Sequence, residues 1–355
     1  MLRNIMKAAL AASLVFVMSP CAHAEDSLSL GGAFAVHFGQ YNSGNEGYTS
    51  NFKSFEEVQV KVRAKVGKLS VYHEMESATD DDFVNTQTKL SYETPVGLLS
   101  LGNVVGIGTI PMSSAGWAGS NIPYSTRRAL LVSGYSENEG LQLTVPLEGL
   151  GMVQFTMYED SDNAGNASNK DVAALAGGTV PSSTEGSSMQ LAADLWFGDI
   201  GVRAGYATAK TDDPADDADD ALSTTNMMLG VWIGLSKNMS VAFDYATAKS
   251  SYDAWSDDMT FSSMDADFTM KGVGPGKLVL SYDMQSFKGA EKILDLTVTS
   301  VLFDMPVGKS AGVQVGYIAN TYKPEDATFE ASYAAVAGRS EGTETFLGAG
   351  FYANF

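Results

Sequence analysis

The chain has 355 residues, 45% hydrophobic and 18% charged, and 42 acidic side chains against 22 basic ones give a formal charge of −20. That acid excess argues against nucleic acid as a partner, since phosphates are neutralised by Lys and Arg. One cysteine, Cys21, cannot form an internal disulfide framework or a thiolate metal site.

The first segment reads as an address rather than as structure. Arg3 and Lys7 make Met1 to Lys7 basic, Ala8 to Met18 is an apolar run interrupted only by Ser13, and Pro20 breaks the chain before Ala22-His23-Ala24. This is the order of a secretory signal peptide cleaved after Ala24, so residues 1–24 are assigned to the signal and 25–355 to one domain. Acylation at Cys21 is an alternative, disfavoured by Pro20 directly before it and by the small-x-small site that follows. Cleavage leaves a chain without a thiol and, with Arg3 and Lys7 gone, moves the formal charge from −20 to −22. Beyond it no apolar stretch reaches the roughly 20 residues of a spanning helix. A wall that hides its hydrophobicity in alternate residues accounts for a mean hydropathy of −0.03.

Alternation of period two then runs to the end of the chain. In Phe55–Val66, Val58, Val60, Val62, Ala64 and Val66 share one face, and Glu57, Gln59, Lys61, Arg63 and Lys65 the other. Val241, Phe243 and Tyr245 alternate with Ala242, Asp244 and Ala246. Leu278, Leu280, Tyr282 and Met284 alternate with Val279, Ser281, Asp283 and Gln285, and Val313, Val315 and Tyr317 with Gln314, Gly316 and Ile318. A helix, repeating every 3.6 residues, would put none of these sets on one side. Tight turns fall at Gly67, Pro95–Gly97, Glu148-Gly149, Gly198-Asp199, Ser236–Asn238, Gly272–Gly276 and Pro306–Gly308. Polar connections of variable length lie at about 42–54, 79–83, 105–137, 160–187, 211–223, 251–258, 289–290 and 323–342. Together they delimit sixteen strands of about 11 residues, enough to cross hydrocarbon when tilted. The fold class expected is an all-β, membrane-spanning antiparallel barrel of sixteen strands. Tyr206-Ala-Thr-Ala-Lys210 recurs as Tyr245-Ala-Thr-Ala-Lys249 two strands later, which predicts two tyrosines at one level, in an aromatic girdle.

The last segment, Thr343 to Phe355, ends on an aromatic with Leu347, Ala349, Phe351 and Ala353 on the same face. With Tyr92-Glu93-Thr94-Pro95-Val96-Gly97 and the long third outer connection, the mature chain resembles the Gram-negative general porin family. The resemblance implies an outer-membrane homotrimer in contact with lipid and lipopolysaccharide, whose barrel is recognised by the insertion machinery through Phe355, with Phe351 before it. It also implies that the third connection folds into the lumen and narrows it, and that small hydrophilic solutes and ions pass by diffusion. That connection, 105–137, carries Ile107, Ile110, Trp117, Ile122 and Tyr124, which suits packing on an inner wall; an outer loop at a trimer contact or adhesive tip is the other reading. Family members commonly place acids here, whereas 105–136 holds none, and Arg127 and Arg128 are its only charges.

Lumen-facing positions read from the alternation put Lys61, Arg63, Lys65 and Lys89 on strands two to four, among Glu57, Glu74, Glu76 and Glu93. Asp244, Asp265, Asp267, Asp283 and Asp295 fall on strands eleven to fourteen. Strands eight apart in a ring of sixteen are opposite, so a basic wall would face an acidic one and set a transverse field; amphipathic strands lining any water-filled lumen would carry the same charges. Six aspartates between Asp212 and Asp220 read as a solvated tip, divalent-cation binding being the alternative. His37 and His73 are the only mature histidines, no serine has a nucleophile motif, and no enzyme activity, cofactor or metal is expected. Rival readings are a channel selective for a sugar, amino acid or phosphate, for which Trp196, Trp232 and Tyr158 are candidate aromatics, and a plugged structural or adhesive barrel.

Overall fold

In a computed structural model the described residues are 27–42, 51–78, 84–107, 112, 139–160, 186–211, 222–252, 255–331 and 342–355. The strands are β1 Ser27–Asn42, β2 Asn51–Val66, β3 Leu69–Ala78, β4 Val84–Thr94, β5 Gly97–Asn103, β6 Glu139–Leu147, β7 Gly151–Asp160 and β8 Gly186–Phe197. They continue as β9 Ile200–Thr211, β10 Leu222–Ser236, β11 Met239–Ser251, β12 Met259–Val273, β13 Gly276–Lys288, β14 Lys292–Pro306, β15 Ala311–Pro324 and β16 Gly342–Asn354. Each pairs antiparallel with its sequence neighbours, and β1 pairs with β16, closing a sixteen-strand barrel. Closure leaves no strand edge to expose unpaired amides to lipid, where each would cost several kcal/mol.

Short turns gather at one rim. Gly67, Gly149, Gly198, Gly272 and Gly274 take φ between 56° and 78° there, a conformation that side chains with a Cβ resist. Closure sits where the sequence ends: Gly32 N–H donates to Phe355 O (2.9 Å) and Phe355 N–H to Gly32 O (3.1 Å). The Phe355 ring lies so close over Gly32 that a Cβ there would stand 2.5 Å from it. Val60, opposite Gly32 on the same outward face, is only 2% exposed.

The two faces of the wall are chemically inverted relative to a water-soluble protein. Leu101, Leu141, Met157, Met189, Leu229, Phe243, Met264 and Tyr282 point outward and are exposed, whereas Gln142, Thr156, Gln190, Asn226 and Asp283 point inward and are buried. Tyr206 and Tyr245 lie outward at the same level, each six residues from the short-turn end of its strand. That is about midway along each strand.

Register and tilt are coupled. One outward row runs from Leu28 through Ala64, Val71, Leu90, Leu101, Leu141, Met157 and Met189 to Thr208, Thr225, Lys249, Thr260 and Lys288. Counted from the short-turn end, it stands two residues up at Ala64, four at Leu90, six at Leu141, eight at Met189, ten at Lys249 and twelve at Lys288. The strands are therefore inclined to the barrel axis, as closure demands.

On β14 the pattern departs from expectation. Leu294, Leu296, Val298 and Leu302 face inward and are buried, and Asp295, read from the sequence as lumenal, faces outward near the long-loop rim, bonded to Lys292. The inward residues are covered locally. A short helix, residues 327–331, in the last long connection brings Phe329 onto Phe261, Phe287, Leu294 and Tyr322. Beside it, Asp258 in the 252–258 connection accepts from Lys249 Nζ (2.5 Å) and from the Ser251 hydroxyl, which hold its carboxyl below the usual range.

Candidate functional site

The third long connection leaves β5 after only seven strand residues, and its root is fixed to the wall. Gly102 takes φ 110°, where a Cβ would also strike the Thr88 carbonyl. Gln87 Nε2 donates to Asn103 O (2.8 Å), and Thr88 N–H donates to Asn103 Oδ1 (2.9 Å). Beyond it the chain lies along the inner face. Gln142 Nε2 on β6 donates to Val105 O (2.7 Å), and Ile107 N–H donates to Gln154 Oε1 on β7 (2.7 Å). Tyr158 bonds to the Gly106 backbone, and a Cβ on Gly106 would overlap the Gln190 amide of β8.

Five residues further on, Met112 N–H donates to Asp244 Oδ1 on β11 (2.7 Å). Its side chain occupies the space over two glycines: a Cβ on Gly201 would be 2.7 Å from Met112 Cε, and one on Gly230 2.6 Å from Met112 Cγ. Glycine in a strand interior commonly marks close approach of another chain segment, and here it does. At its described residues the connection thus touches the inner wall at β6–β8, through Val105 to Ile107, and at β11, through Met112. Residues 108–111 and 113–138, with Arg127 and Arg128, lie outside the described residues, as do the aspartates at 212–220 and the signal segment.

The opposite wall holds the basic residues. Lys61, Arg63, Lys65 and Lys89 all face inward, as the alternation implied. Lys61 pairs with Glu74 (3.3 Å) and Lys65 with Glu93 (2.7 Å). Tyr72, which the sequence did not single out, stands between the remaining two: Arg63 Cζ is 5.2 Å and Lys89 Nζ 5.7 Å from its ring centroid. Its hydroxyl donates to Glu74.

The acids also face inward but are covered. Asp244, Asp265 and Asp267 are 5–7% exposed and Asp283 1%. Asp244 is an anchor for the connection rather than an open wall charge, and Asp283 accepts from Ser263 (3.2 Å) and Gln285 (2.5 Å). Sequence reasoning also missed the buried pair of Arg203 Nη2 on β9 and Asp194 Oδ2 on β8, 2.6 Å apart. The signal was available, since a lone Arg and a lone Asp fall at lumenal positions of adjacent strands. Trp196 and Trp232 meet on the lumenal face near the short-turn rim, ring centroids 5.5 Å apart; Tyr158 is not with them. Among the described residues no cluster of His, Cys, Asp or Glu is arranged to hold a metal ion.

The family model of the Gram-negative porins matches residues 8–353. Among solved structures, the anion-selective porin of Comamonas acidovorans is similar, at 13% identity over 93% of this chain and 100% of that one, TM-score 0.65. So is the outer-membrane channel DcaP of Acinetobacter baumannii, at 12% identity over 95% and 99%, TM-score 0.65. OmpT of Vibrio cholerae, in its trimer form, is 13% identical over 93% and 99%, TM-score 0.61. At these identities the likeness is one of fold. No curated protein matches the sequence.

Proposed function

From the premise that the chain belongs to the Gram-negative porin family and is an outer-membrane channel, we propose that its lumen passes small hydrophilic solutes and ions by diffusion. The observation that carries this reading is that Val105, Ile107 and Met112 of the third connection bond to inward side chains of β6, β7 and β11, while Arg63 and Lys89 face the lumen from β2 and β4. The protein acts by admitting and sorting solutes and carries out no chemical step. It is exported by residues 1–24, inserted through recognition of Phe355 and Phe351, and assembled in outer-membrane lipid and lipopolysaccharide as a homotrimer, the form in which OmpT of Vibrio cholerae was also solved. Planar-bilayer recording tests the reading: an ohmic current in steps of three supports an open trimeric pore, and silence from a correctly folded barrel overturns it. A selective channel is the second reading, favoured by the Trp196–Trp232 pair at the lumen wall; current blocked by one neutral sugar would establish it.

A further inference from the structure

Toward the short-turn rim, the wall of β1–β4 that carries Arg63 and Lys89 opens into a cavity of about 570 Å³. Its lining mixes apolar Ala64, Val71 and Leu98 with polar Ser29, Gln87 and Ser91, and carries the cations Arg63, Lys65 and Lys89 around Tyr72. Lys61, Arg63, Lys65 and Lys89 do not share the nearby carboxylates evenly. Glu74 serves Lys61 and Glu93 serves Lys65. Among the described residues, neither Arg63 nor Lys89 has a carboxylate within salt-bridge distance. Both are held instead over one phenol ring, 5.2 and 5.7 Å from its centre, with the Tyr72 hydroxyl already donating to Glu74. Two like charges kept this close on a partly covered wall repel each other, and an anion between them removes the repulsion.

We propose that this cavity is a subsite for small polyhydroxylated oxyanions, with a carboxylate or phosphate carried on a sugar-like body. The planar fork of Arg63 suits either oxyanion, and Lys89 adds a point charge from the other side of the ring. Ser29, Ser91 and Gln87 supply donors and acceptors for hydroxyl groups. The volume falls within the 300–1,000 Å³ or so typical of small-ligand sites. A neutral sugar gains nothing from the two cations, and a bare inorganic anion leaves the hydroxyl and amide groups to water.

The proposal rests on the channel reading only for access, so its test does not require current. Calorimetric titration of the folded, detergent-solubilised barrel with gluconate, glucose 6-phosphate, inorganic phosphate and glucose decides it. Gluconate, glucose 6-phosphate or both should bind, more weakly as salt is raised; whichever binds identifies the oxyanion. Glucose should not bind, and inorganic phosphate should bind less tightly than the sugar phosphate. The double variant Arg63→Gln with Lys89→Gln should weaken binding about tenfold or more, and Lys277→Gln on β13 should leave it unchanged. Should the double variant not fold, Arg63→Lys keeps the charge, loses the fork and should still bind several-fold more weakly. Absence of binding by both sugar anions, equal binding by glucose, or unaltered binding in the variants overturns the subsite. Bilayer recording separates the two claims: a conducting pore that binds neither anion removes the subsite alone, and binding by a silent barrel removes the channel alone.

Discussion

Arg203 holds Asp194 at 2.6 Å with their side chains only 14% and 8% exposed, whereas Lys65 and Glu93, at a similar separation, are 43% and 53% exposed. The difference decides what each contact contributes. An exposed pair is worth about 0–1 kcal/mol, because water and salt screen it and two long side chains must be ordered. Removing one member of a buried pair strands a charge and costs about 3–5 kcal/mol. Arg203→Met should therefore destabilise the barrel by about that amount, and Lys65→Gln by less than about 1 kcal/mol. Urea titration in lipid, followed by the mobility shift of unheated samples, measures both; equal losses would mean that Asp194 is hydrated.

Two elements carry the assembly and the passage. Just beyond β16, Phe355 is fixed at both its backbone groups to Gly32, so deleting it removes the last two bonds of the closing seam. The truncated chain should be exported normally but reach the outer membrane as folded barrel in much reduced amount; wild-type levels would show that the seam closes without it. In the β5–β6 connection Asp244 receives the Met112 amide, so Asp244→Ala frees that contact while leaving β11 paired. Larger and noisier single-channel steps with an unaltered unfolding midpoint are expected; unchanged steps would place the narrow point elsewhere. The strands, turns and this connection were legible in the sequence because period-two alternation and turn glycines are local signals. The landing of Met112 was not, since Gly201 and Gly230 reveal a close approach but not which segment makes it. Asp295 was assigned to the wrong side because alternation yields two faces, and polarity names the inner one only where nothing covers it. On β14 the covering residue, Phe329, comes from a connection that has no periodicity of its own.

At the scale of the whole barrel, charge is distributed by wall rather than by total. The chain is strongly acidic, yet its inward aspartates are covered while Arg63 and Lys89 remain by the open lumen. Replacing both with Gln should move the reversal potential in a salt gradient toward that of cations. Replacing Lys288 and Lys292 at the outer rim should hardly move it, because their fields are screened beyond about 8 Å at physiological salt. If the rim pair shifts the potential as much as the wall pair, the outer mouth and not the narrow passage sorts ions. The inclined outward row allows one more reading. Along it the residues are apolar from Leu28 to Met189, then become Thr208, Thr225, Lys249, Thr260 and Lys288. Because each hairpin lifts the row by two residues, position along it is a scale of depth, and the change from Met189 to Thr208 is the waterline of the outer leaflet. Leu141→Arg should then cost about 2–4 kcal/mol and Thr225→Arg about 0–1 kcal/mol. Equal costs would put the waterline elsewhere, and the same scale, followed round the ring, converts any outward residue number into a distance from the membrane surface.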